Sequence, residues 1–223
     1  MLNINNLCYK NILHDISFSV PDGSFTVIAG RNGSGKSCLL RCIKGLYRHT
    51  GTIEMKGTSA LVFQDADTQI IGQTVSKDLG FGLRVPALEA ADRIRETAAE
   101  FSLTDLLDRR PSTLSGGEKR RLAIADAAIT NPDILMLDEP FANLDYPGIQ
   151  SVVLLLQRMK SQGRTIIMVS HEVEKILALA DRIVIIDSGR IVMEGPADQV
   201  FLKADWQASG IRVSGKREDM LWL

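Results

Sequence analysis

The sequence predicts an α/β fold: a mainly parallel sheet forms the core, an antiparallel β layer flanks it, and an inserted helical subdomain interrupts it. Three observations predict it. The apolar run at residues 25–29 (FTVIA) leads through GRNGSGKS at 30–37 to Leu39, Leu40, Ile43 and Leu46 at helical spacing, a strand–loop–helix unit. A second apolar run, 134–137 (ILML), ends in Asp138-Glu139-Pro140, as a buried strand of a parallel sheet does. Between these, residues 74–110 contain no clear strand, but helix-forming runs at 87–91 and 94–101.

The elements follow in order. Leu2 and Ile4, then Leu13, Ile16, Phe18 and Val20, suggest short alternating strands of an antiparallel layer. The run 30–37 matches G-x-x-x-x-G-K-[ST] at every fixed position. Its glycines let successive backbone N–H groups turn inward around phosphate oxygens, Lys36 adds a positive charge, and the Ser37 hydroxyl suits Mg²⁺. The core is therefore expected to be of the P-loop NTPase kind. Residues 60–63 (ALVF) read as a strand leading into Gln64.

At 114–118 (LSGGE), Ser115 and Glu118 have the spacing of a capping box that opens an apolar-periodic helix. A helix start gains nothing from Gly116 and Gly117, whereas exposed N–H groups at a helix N-terminus suit an anion. At the tip of the 134–137 strand, Asp138 is placed to hold Mg²⁺ through water, and Glu139 to orient or deprotonate an attacking water. A strand at 165–170 (TIIMVS) delivers His171, and residues 184–192 read as a hairpin with a Ser188-Gly189 turn.

Composition narrows the classes. The chain has 223 residues, 45% hydrophobic and 24% charged, enough for one large α/β domain or two small ones. A net charge of −1 leaves no basic surplus, so no nucleic-acid partner is expected. The longest apolar stretches are strand-sized and the N-terminus has no leader pattern, so a cytosolic protein is expected. Cys8, Cys38 and Cys42 fit reduced thiols. Cys38 and Cys42 stand four apart on the helix after the P-loop, where a metal pair is possible, but no His joins them and they read as packing residues. His14 and His49 read as surface or turn residues.

With LSGGE followed by ILMLDEP, the chain resembles the ATPase subunits of ABC transporters. The resemblance implies one domain over 1–223, with a core at 1–65 and 112–223 and a helical subdomain at about 66–111. It implies ATP and Mg²⁺ as cofactors, and a second ATPase subunit as partner, identical or a related paralogue. Asn32, Gly33, Ser34, Gly35, Lys36, Ser37 and Cys38 would cradle the phosphates, and Tyr9 would stack on adenine. Ser37, Gln64 and Asp138 would serve the metal; Glu139, His171 and Gln64 would act in catalysis. Ser115, Gly116, Gly117 and Asp145, the last in a D-loop at 142–145, would meet the ATP of the opposite subunit. One departure stands out: Cys38 replaces the family's usual Thr, a weaker donor toward the α-phosphate.

After Gln64, residues 65–75 (DADTQIIGQTV) and 78–82 (DLGFG) are similar to the ATPases of energy-coupling-factor importers and the related cobalt or nickel importers. In that group the segment grips a coupling helix of an integral membrane subunit. The resemblance implies an ATP-hydrolysing subunit of an importer for vitamins or transition-metal ions, peripheral on the cytoplasmic face of the cell membrane. Gln69, Ile70, Ile71, Val75 and Phe81 are then expected as apolar docking surface, kept outside by Asp65, Asp67 and Asp78. The alternative is the ATPase of another ABC importer or exporter, or a non-transport ABC ATPase. Against the last, no heptad run separates Gln64 from Ser115, and only one nucleotide-binding domain is present. The importer group often carries a C-terminal extension, for which a chain ending at Leu223 has little room.

Overall fold

Two sheets account for the strands in the computed structural model, which describes residues 1–213 and 215–222. The first half of the chain runs β1 Leu2–Tyr9, β2 Leu13–Val20, β3 Phe25–Ala29, α1 Lys36–Ile43, β4 Thr50–Met55, β5 Ser59–Val62, α2 Val75–Gly80 and α3 Ala87–Glu100. The second half runs α4 Gly116–Ala128, β6 Ile134–Asp138, α5 Tyr146–Ser161, β7 Thr165–Ser170, β8 Arg182–Asp187, β9 Arg190–Pro196 and α6 Ala197–Lys203.

The antiparallel sheet has the order β2-β1-β4, with Leu2 opposite Val20, Ile4 opposite Phe18 and Leu7 opposite Ile16. These side chains are buried, which is why alternation alone marks β1 and β2. Strand β4 lies at the sheet's edge and is half exposed, so only Ile53 and Met55 carry its apolar signal. The larger sheet has the order β5-β6-β7-β3-β8-β9, parallel except for the last pair. Its central strands are apolar without a break because both faces are covered. Leu135, Leu137, Ile166 and Met168 pack on one face with α4 and α5. Met136, Ile167, Val169 and Ile28 pack on the other with α1 and the antiparallel sheet. The β8–β9 hairpin turns at Ser188 (φ 47°) and Gly189 (φ 74°), the two positive φ values of a type I′ turn.

Residues 66–111 contribute α2, α3 and short 3₁₀ turns, but no described strand. Two expectations are corrected. Helix α1 stops at Ile43 because Gly45 enters the left-handed region (φ 77°) and donates to the Cys42 carbonyl, so Leu46 is 54% exposed instead of extending the apolar stripe. Val75 and Asp78 are buried, not surface residues, because α2 packs against α3 and α4. Among the described residues no helix is long and apolar enough to cross a membrane.

The C-terminal segment closes over the core. Arg217 donates to the carbonyls of Leu177, Ala178 and Ala180, and the Trp222 ring lies 5.8 Å from that of Tyr146. Further back, Arg31 in the P-loop donates to the Ala208 carbonyl and pairs with Asp187 at 2.9 Å.

Candidate functional site

The carboxyl ends of β3, β6 and β7 meet at one edge of the parallel sheet, where open α/β sheets place their ligands. The loops leaving them carry most of the predicted residues into one cleft of about 470 Å³. It is lined by Asn32, Gly33, Gly35, Lys36, Ser37, Cys38, Gln64, Glu139, His171 and, unforeseen from sequence, Ile12. Helix α1 starts at Gly35 with no side-chain cap, which leaves its first N–H groups to an anion. Ser34 lies beneath the loop with a buried, unpartnered Oγ.

Lys36 is buried, and its Nζ donates to the carbonyls of Gly30 (2.7 Å) and Arg31 (3.0 Å) and stands 3.7 Å from Glu139 Oε1. Burial lowers its pKa, while the nearby Glu139 and Asp138 carboxylates pull the other way. Ser37 Oγ donates to Asp138 Oδ1 at 2.7 Å. Asp138 is almost fully enclosed, and burial raises its carboxyl above the usual range. The Ser37 hydrogen bond and Arg41, 3.9 Å from Oδ2, oppose that rise.

Glu139 sits just past β6 in the left-handed region (φ 45°), which costs a non-glycine residue about 1–2 kcal/mol. Its N–H donates to the Val169 carbonyl (3.0 Å) and its carbonyl accepts from Ala142 N–H (3.1 Å), which hold the turn. The turn aims the carboxylate back at the end of β7. There Oε2 accepts from Ser170 Oγ (3.1 Å) and His171 N–H (3.3 Å), and His171 Nδ1 lies 3.0 Å away. Ser170, fully buried, also accepts from Glu172 N–H at 3.0 Å, so its two bonds tie the Glu139 carboxylate to the loop that follows β7. Sequence reading missed Ser170, which looks there like any strand-end serine. Ser170→Ala is expected to lower turnover about tenfold, the scale of one hydrogen bond to a charged group, and Ser170→Thr to restore it. Phosphate-release kinetics of the two variants check this.

Gln64 is exposed at the cleft, and its position is set from α4: the buried guanidinium of Arg120 donates to the carbonyls of Phe63 and Gln64. Tyr9 is not brought to the cleft wall. Its ring is buried and stacks on Tyr47 with centroids 4.9 Å apart and 10° between planes, while Lys10 Nζ lies 5.2 Å from its centre. Cys42 is buried in the core that α1 shares with the antiparallel sheet, and Cys38 is half-buried against it.

Ser115, Gly116, Gly117 and Asp145 line a different cavity of about 490 Å³, and none of them touches the first. Ser115 and Glu118 form the capping box, Glu118 N–H to Ser115 Oγ at 3.3 Å and Ser115 N–H to Glu118 Oε2 at 2.7 Å. That second bond holds the Glu118 carboxyl below its ordinary pKa. A Cβ on Gly117 would stand 3.1 Å from Gly148 Cα, so close helix packing accounts for this glycine. A Cβ on Gly116 would meet only ordinary contacts, the nearest at 3.6 Å, so packing leaves Gly116 unexplained. Asp145 caps α5 by accepting from Gly148 N–H at 3.0 Å.

A groove of about 790 Å³ runs between the 70–74 segment and Arg110, Pro111, Ser112 and Lys119. Ile71, in its lining, is 60% exposed, and Phe81, at the end of α2, is 73% exposed. Gln69, in contrast, is a tether, accepting from Phe63 N–H and donating to the Ala123 carbonyl.

The chain thus presents two separate surfaces: a glycine-rich loop ahead of α1 with a buried acid pair, and a glycine-bearing helix N-terminus at α4. The ABC transporter family model matches residues 13–142, over half of the chain, and the chain belongs to that family; it is an ABC-type ATPase. It is 40% identical over 208 residues to the cobalt import ATP-binding protein CbiO of Rhodobacter capsulatus, covering 85% of this chain and 74% of that protein. It is 36% identical over 211 residues to the energy-coupling factor transporter ATP-binding protein EcfA3 of Oenococcus oeni, covering 85% and 73%. Among solved structures, cbiO1 from Clostridium perfringens, part of the ABC transporter complex cbiONQ, matches with a TM-score of 0.83 at 28% identity, covering 91% of this chain and 90% of that one.

Proposed function

We propose that this ABC ATPase powers an energy-coupling-factor-type importer for vitamins or transition-metal ions, as a peripheral subunit on the cytoplasmic face of the cell membrane. The exposed apolar side chains of Ile71, which lines the groove, and Phe81, at the end of α2, are the observation that carries this reading. Exposed apolar side chains in the segment that follows Gln64 suit a helix of an integral membrane partner. Relatives named for cobalt import and energy-coupling-factor transport support it. The 66–111 insertion would be the helical subdomain that bears this surface, with the core at 1–65 and 112–223.

In the mechanism, Asn32 to Cys38 hold the phosphates through backbone N–H groups and Lys36. Ser37, Asp138 and Gln64 would hold Mg²⁺: the Ser37–Asp138 hydrogen bond already places two hard oxygen donors together, and a bound Mg²⁺ would neutralise charge on the phosphate oxygens. Glu139 takes a proton from the attacking water, positioned by Ser170, while His171 faces the γ-phosphate. Gly116 and Gly117, with Ser115 and Asp145, close the site from a second ATPase subunit, identical or paralogous. Binding joins the halves and hydrolysis releases them, a two-state cycle that moves the membrane partner. Tyr9 would serve as an adenine platform only once its buried ring, stacked on Tyr47, is uncovered.

The test uses Ile71→Asp and Phe81→Asp. Each is expected to abolish co-purification with the co-expressed membrane subunit and to leave the basal ATPase of the free chain unchanged. Complex formation that survives both substitutions would place the docking surface elsewhere.

A further inference from the structure

The turn at Ile71 and Gly72, on the groove's edge, is held from inside the protein. Asp78 Oδ1, buried on α2, accepts the N–H groups of Ile71 (2.8 Å) and Gly72 (2.5 Å). Its other oxygen, Oδ2, is shut away from solvent without a donor, and so is Oδ1 of Asp126 on α4. Helices α2 and α4, which carry these two carboxyl groups, pack against each other, and Asp78 acts on the Asp126 carboxyl. Two acceptors facing each other form no bond, but one proton between them satisfies both.

No cation takes the place of that proton among the described residues. On α2, Lys77 is turned to Gln73; on α3, Arg93 and Arg95 pair with Glu89 and Asp92. On α4, Lys119 pairs with Asp67, Arg120 binds the Phe63 and Gln64 carbonyls, and Arg121 donates to Ser151. In the connection after α3, Asp105 and Asp108 are exposed, Arg109 acts on Glu118 and Arg110 lines the groove.

We propose that Asp126 is a positioning residue for the docking groove: its carboxyl is protonated at neutral pH and donates to Asp78, tying the Ile71-Gly72 turn to the helix that begins at Ser115–Gly116–Gly117. Burial first, then the charge and hydrogen bond of Asp78, push the Asp126 carboxyl up to about 9. The groove and helix α4 thereby move as one piece. The proton belongs to the free chain; its use in transport rests on the docking reading above.

The experiment follows the side-chain carboxyl carbon shift of Asp126 and the amide nitrogen shifts of Ile71 and Gly72 by NMR in the full-length chain as pH rises. All three are expected to move together near pH 9, and the amides to stay still in Asp126→Asn, whose amide donates without titrating. Stability supplies a second readout. The folded-state pKa lies above the unfolded value of 3.8, so the folded chain binds the extra proton between 3.8 and about 9. Stability is fully present below that window and falls through it by about tenfold in the unfolding constant per pH unit, a slope that Asp126→Asn removes. An Asp126 carboxyl already ionised at neutral pH, or amides that titrate equally in Asp126→Asn, would overturn the proposal. If Asp126→Asn does not fold, the wild-type titration alone decides. Loss of membrane-subunit binding in Ile71→Asp with the titration intact would separate the docking reading from the proton.

Discussion

Replacing Glu139 with Gln is expected to lower ATP turnover by about 10²- to 10⁴-fold while nucleotide binding persists, the range for a lost general base. Gln keeps the shape and can still accept from Ser170 and the His171 N–H, so the left-handed turn after β6 survives. What disappears is the basic oxygen. Binding should hold or tighten, because the substitution also removes a negative charge 3.7 Å from Lys36, on the side of the cleft that receives phosphates. Phosphate release and titration with a labelled nucleotide separate the two effects. Turnover that stays unchanged would strip Glu139 of its role as base.

The second large effect falls on binding. Lys36→Ala removes the buried ammonium of the P-loop, which leaves Glu139 without its Lys36 partner while Asp138 keeps Arg41. Affinity for ATP is expected to fall about 10- to 100-fold, the scale of a lost hydrogen bond between charged groups. Ser115→Arg damages the other half, at the N-terminus of α4. It also removes a helix cap worth about 1 kcal/mol, so the melting temperature of that variant is measured alongside. Each variant alone is expected to be inactive. Mixed, they should regain partial activity: a mixed dimer carries one site damaged twice and one intact. No recovery would argue against a homodimer that shares its sites across subunits and would favour pairing with a related subunit.

Much of the fold is legible in the sequence because its central strands are buried on both faces. The runs at 25–29, 134–137 and 165–170 each become a strand of the parallel sheet, and Ser188-Gly189 becomes the hairpin turn. These signals are local: an apolar run, a turn pair and a glycine-rich loop each report what their own backbone must do. The edge strand β4 escapes the same reading because an edge buries too little to enforce alternation. Leu46 misleads because periodicity continues past the point where Gly45 ends the helix.

The candidate site divides in the same way. By itself, the sequence determined the parallel core, the P-loop and the acid pair Asp138-Glu139, because each is written in a contiguous stretch with its own steric logic. Only the tertiary structure decided that Arg120 anchors the Gln64 backbone and that Ser170 holds Glu139. It alone decided that Tyr47 covers Tyr9, that Gly117 packs on Gly148, and that Asp78 turns inward to Asp126. In every such pair the partners are far apart in the chain, and their worth comes from desolvation. A guanidinium, a hydroxyl or a carboxyl acquires a specific partner only once packing has removed water from around it, and no pattern along the chain encodes which group will be waiting there.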